Sequence, residues 1–94
     1  MTTNKHYLVL HQWTGRYGYM ELKKVISKSS NIYYLFRKGV DFLRENGFNK
    51  YVDEWIKRYK QQKLLWVQLG NYDTSPELEV ISEKEFNMRG YHYD

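Results

Sequence analysis

"SSNIYYLFRKGVDFLRENGFNKYVDEWIKRYKQQK", residues 29–63, holds two apolar stripes in succession, and their spacing decides the fold. Ile32, Leu35, Phe36, Gly39, Val40 and Leu43 recur at i, i+3, i+4, i+7, i+8 and i+11, one face of an α-helix. Ser30 is placed to cap its start and Gly47 to end it in the left-handed C′ position, so the pattern predicts a helix over 31–46. Gly39 costs about 1 kcal/mol of helix propensity relative to alanine. In the middle of the stripe, it reads as a point where another element comes close. Phe48, Tyr51, Val52, Trp55, Ile56 and Tyr59 repeat the spacing. With Asn49 as cap, they predict a second helix over 50–62. The pair forms an antiparallel hairpin around Gly47 and Phe48, with Phe36 and Trp55 as its buried anchors.

Outside this hairpin the chain reads as β structure. "HYLVLHQW" (6–13) is β-rich, "TGRYG" (14–18) marks a turn, and "YMELKKVIS" (19–27) alternates as a second strand. A short helix through Leu22, Val25 and Ile26 is the competing reading of 19–27. Strands over 64–69 and 77–81 follow, separated by the turn "NYDTSP". "SEKE" (82–85) is a capping box that starts a short helix running to about Met88, before Gly90. The whole is a single α+β domain, residues 1–94, of ββααββ order. An antiparallel sheet carries the helical hairpin on one face and a short C-terminal helix closes the chain. Leu8, Leu10, Leu22, Ile26, Leu65, Val67, Leu69, Leu78 and Val80 are expected under the hairpin. The other face then shows Tyr7, His11, Trp13, Tyr19, Lys23, Trp66 and Gln68.

Composition narrows the class. A 41% hydrophobic and 18% aromatic chain has the material for a core, and without cysteine it has no disulfide or thiolate chemistry. Its ten tyrosines supply large amphipathic contact surfaces. No stretch approaches the roughly 18 apolar residues of a membrane span, and no secretory leader pattern is present, which makes a cytoplasmic protein the expectation. The net charge of +4 is unevenly spread. Residues 1–72 hold 13 Lys and Arg against 5 acids, whereas residues 73–94 hold 2 against 6. Either the basic body meets an anionic partner, or the acidic segment packs across it and neutralises it. The second is the favoured reading.

Catalytic patterns are missing from the sequence. No G-x-S-x-G elbow, HExxH pair, Gly-rich phosphate loop or dinucleotide fingerprint occurs. His6 and His11 are an odd number apart on one strand and face opposite sides. "RGYHY" (89–93) begins like a strand signature of RNA-recognition modules, but His92 breaks it, and it reads as an aromatic tail. A non-enzymatic protein without cofactor or metal is expected.

Two binding surfaces remain. The leading one is the outer sheet face: Tyr7, His11, Trp13, Tyr19, Lys23 and Trp66 mix aromatic and polar groups as protein interfaces do. The C-terminal helix or a second copy of the chain would also cover such a face. The expected function is that of a small accessory or inhibitor protein acting by protein–protein contact. Phages and mobile elements encode proteins of this size and lack of motifs. The alternative is a basic nucleic-acid-binding module, with Tyr34 stacking on a base and Arg37, Lys38, Lys57 and Lys60 holding phosphate. On the second helix, Asp53→Lys57 and Glu54→Arg58 are i,i+4 pairs that would occupy two of the cations.

Overall fold

The computed structural model describes residues 4–93. Strand β1 (His6–Thr14) and β2 (Tyr19–Ser29) form a long hairpin, followed by helix α1 (Ile32–Glu45). A 3-10 turn (Asn49–Tyr51) leads into α2 (Val52–Lys60), then β3 (Trp66–Gln68), β4 (Glu77–Ser82), α3 (Glu83–Arg89) and the two-residue β5 (His92–Tyr93). The sheet order is β3-β4-β1-β2-β5. The first four strands are antiparallel, and β5 joins the β2 edge in parallel. The expected α+β class, the ββααββ order and the helical hairpin are all present.

Helix α1 starts at Asn31, one residue after the expected Ser30. The Asn31 side chain accepts from Tyr34 N at 3.2 Å, and Ser29 Oγ accepts from Asn31 N at 3.0 Å. At the other end Gly47 takes φ +79°, which lets Phe48 N donate to Leu43 O at 2.8 Å. Asn49 does not cap α2. It lies inside the 3-10 turn, and the residue before α2, Tyr51, makes no side-chain capping bond.

The main core lies between the hairpin and one sheet face. Leu8, Leu78, Leu35, Leu43 and Trp55 are fully buried there, with Val67 and Val80 beside them. Trp55 Nε1 donates to Phe36 O at 3.0 Å, which ties the two helices together. Phe36 itself is only half-buried, packing on Tyr59 at 4.3 Å between ring centres.

Leu22 is on the opposite face from the one expected. The β1–β2 register shifts between Leu8 and Val9 and again between Leu10 and His11, so that Val9 pairs with Val25 and His11 with Leu22. Each shift adds one residue to β2 and reverses the alternation. Ile26 therefore packs toward the helices, while Leu22 joins Val9 and Ile81 in a second, smaller core on the outer face.

Candidate protein-docking groove

Helix α3 crosses that outer face. Ser82 Oγ accepts from Glu85 N at 3.1 Å, as the capping box requires, but the Glu85 carboxylate turns away and pairs with Arg89 Nε at 2.8 Å. Gly90 then takes a left-handed conformation (φ +57°), and the reversal lays Tyr91 back over β1. Residues 89–93 are thus more than an aromatic tail: His92 pairs with Glu21 and Tyr93 with Leu22 in β5. No sequence signal for a strand is available in so short a stretch.

The covering is partial and selective. Tyr7 is stacked under Phe86, with ring centres 4.4 Å apart. His11 is completely buried beneath Tyr91. Both were expected on an open face. His11 has no surface to offer a partner, and Tyr7 has given its ring to α3. Lys23 lies at a β2 bulge and pairs with Glu21 at 3.0 Å.

A buried polar network underlies α3. Arg89 Nη1 donates to Glu79 Oε1 at 2.9 Å and to the Tyr91 hydroxyl oxygen at 3.2 Å. That arrangement aims the Tyr91 proton at His11 Nδ1, 2.8 Å away. A neutral His11 then carries its proton on Nε2, which faces Glu79 Oε1 at 3.3 Å without a well-aligned hydrogen bond. Burial pushes the Glu79 carboxyl up, but His11 and Arg89 more than offset it, leaving the group below its ordinary value. Burial also raises the Tyr91 phenol, against the opposing pull of Arg89. His11 has no exposed atom in this arrangement.

Among the described residues, the ion pairs of the acidic segment do not reach the Lys and Arg of the basic body. Glu79 and Glu85 pair with Arg89 and His11, within α3 and the strands beneath it.

Beside α3 the outer face stays open as a groove of about 670 Å³. Three of the expected contact residues meet there. Trp13, 38% exposed, comes from the end of β1, Tyr19 from the start of β2 and Trp66 from β3. Met20 and Leu64 extend the apolar lining, and Glu77, Glu79, Glu85 and Arg89 form its polar side. Trp66 is anchored: its Nε1 donates to Glu77, and the Arg58 guanidinium lies 5.3 Å from its ring centre. Tyr19 is held between Tyr17 and His92. Rigid aromatic rings beside a polar border have the composition of a protein-contact centre.

The alternative, cationic residues are not gathered in one recess. Tyr34 is 45% exposed, but Lys38 Nζ lies over its ring at 5.4 Å, where a base would stack. Arg37 bonds the Tyr33 hydroxyl at 3.2 Å instead of standing beside Tyr34. Tyr34 and Lys38 border a recess against β2 that also holds Asp41 and Glu45, whereas Lys60 borders a different recess with β4 residue Val80. Lys57 also lies on α2. Of the two helix pairs expected, Glu54–Arg58 forms at 3.0 Å and Asp53–Lys57 does not.

The described residues hold no cluster of three or more His, Cys, Asp or Glu suited to a metal ion, and no helix long and apolar enough to cross a membrane. Comparison with protein-family models, with curated proteins and with solved structures finds no match for this chain.

Proposed function

We propose that this chain is a small non-enzymatic accessory or inhibitor domain, of the kind phages and mobile elements encode, that docks on another protein through the Trp13–Tyr19–Trp66 groove. The carrying observation is the convergence of these three rings from three strands on one open groove, beside the part of the outer face where Phe86 of α3 covers Tyr7. Trp66, held by Glu77 and Arg58, and Tyr19, packed against His92, lose little entropy on binding, which is what makes aromatic anchors effective. The nucleic-acid reading has weaker support, since Lys38 and Lys60 border different recesses, Arg37 is bonded to Tyr33, and Lys38 lies over the stacking ring.

The test is affinity capture from the native host, repeated after nuclease treatment and with Trp13→Ala. A protein partner retained after nuclease and lost with Trp13→Ala supports the reading. Capture that disappears with nuclease, or that Trp13→Ala leaves intact, removes it.

A further inference from the structure

A second concave site lies on the helical side of the molecule and meets the docking groove at Leu64, which lines both. Ile32 at the start of α1, Tyr59 near the end of α2, Leu64 and Leu65 before β3, and Val80 of β4 form the apolar walls of an open recess of about 620 Å³, with His6 of β1 and Gln62 as polar members of its lining. That is within the range of small-molecule pockets, about 300–1,000 Å³. Lys60 and Lys63 stand on its border, and no Asp or Glu lines it. Neither lysine has an ion-pair partner among the described residues.

The chain takes an unusual conformation to build this border. Gln62 is the one described non-glycine residue with positive φ, at +54°. It closes α2 by letting Lys63 N reach Arg58 O at 2.9 Å. The left-handed reversal brings Lys63 and Leu64 to the mouth of the recess, with Leu64 left 58% exposed. Strain of this kind persists where the surrounding structure fixes it, and it gathers at binding sites.

From the apolar walls, the two unpartnered ammonium groups and the absence of any carboxylate in the lining, we infer that this recess binds a small amphipathic carboxylate. The ligand has an apolar body of medium chain length and one anionic head. The body displaces water from Ile32, Leu65 and Val80 and covers Leu64, while the head sits between Lys60 and Lys63. A neutral or cationic ligand of the same length gains the apolar part only, or meets repulsion at the border.

Decanoate is the probe, titrated below its micelle concentration into labelled protein and followed by NMR, with decanol and decylammonium as controls. The expected result is a saturable shift at Ile32, Tyr59, Leu65 and Val80, none of which lines the docking groove, with Leu64 shared between the two. The double variant Lys60→Gln/Lys63→Gln should weaken decanoate about tenfold, or about 1.4 kcal/mol, and leave decanol unchanged. Trp13→Ala should have no effect, which separates this site from the docking groove. Equal affinity for decylammonium, undiminished decanoate binding by the double variant, or no saturable shift overturns the inference. So does a shift of the Leu64 signal with protein concentration alone, which would identify the recess as a contact between copies.

Discussion

The indole of Trp55 occupies the space a side chain at Gly39 would need. A Cβ built on Gly39 falls inside the van der Waals shell of three indole atoms, and Trp55 is fully buried with its Nε1 held by Phe36 O. Gly39→Ala should therefore destabilise the protein by about 1–3 kcal/mol, although alanine gains about 1 kcal/mol in helix propensity. A urea titration measures the balance. A stabilised variant would mean that the two helices meet elsewhere.

Gln62 gives the opposite sign. Its left-handed backbone is unfavourable for a side-chain-bearing residue and natural for glycine at a helix C′ position. Gln62→Gly should raise stability by about 0.5–1 kcal/mol, since the strain relieved exceeds the added freedom of the unfolded chain. Thermal melts of the two proteins side by side show it.

Acid sensitivity should centre on Glu79. Its folded-state pKa lies below the unfolded one, so its contribution is present above the ordinary carboxylate value and is lost as pH falls through the lower folded value. Arg89→Gln removes the shared cation and leaves Glu79 buried with only His11 nearby. At neutral pH this variant should lose about 2–3 kcal/mol. Between neutral pH and pH 3 it should then lose less additional stability than the parent, because burial alone favours the protonated acid. Equal slopes in a stability-against-pH series would show that the Glu79–Arg89 pair does not govern the acid limb.

Trp13 and Trp66 should separate in stability while agreeing in binding. Trp13 is exposed along one side and makes no hydrogen bond, so Trp13→Ala should leave the melting temperature nearly unchanged and cost at least about 2 kcal/mol in partner affinity. Trp66→Ala also strips Glu77 of its indole donor and Arg58 of its ring, and should cost about 1–2 kcal/mol of folding stability as well. Differential scanning fluorimetry on both variants, alongside the captured partner, resolves the two effects.

The helical hairpin is readable from the chain because 3.6-residue periodicity is local and both stripes are long. The outer-face aromatics are readable for a similar reason, since Trp66 alternates with apolar Leu65 and Val67, and Trp13 falls two residues from His11 on the same side of β1. Leu22 is not. Its side of the sheet is set by two bulges in β2, and a bulge leaves no mark in a run such as "ELKKVI" where apolar residues fit either face. His11, Glu79, Arg89 and Tyr91 come together only through the strand order and the left-handed turn at Gly90, which are non-local and unwritten in spacing. The caps fall between these cases. Ser30 and Asn31 are both competent, and the preceding Ser29 hydroxyl, accepting from Asn31 N, decides for Asn31.

The place of β1 in the sheet has a kinetic consequence. One of its neighbours is β2, reached through a tight turn, and the other is β4, which pairs His6 with Ser82. The second pairing closes a loop containing most of the chain, and the entropy of that closure is lost before any contact compensates it. On the ribosome, the β1–β2 hairpin and the two helices can therefore emerge and associate early. The sheet gains its centre only once residues 77–82 have left the exit tunnel. Until then the edge of β1 that β4 will cover, with fully buried Leu8 and Val9, is open to any passing strand. The nascent chain is most vulnerable to misassembly in that interval.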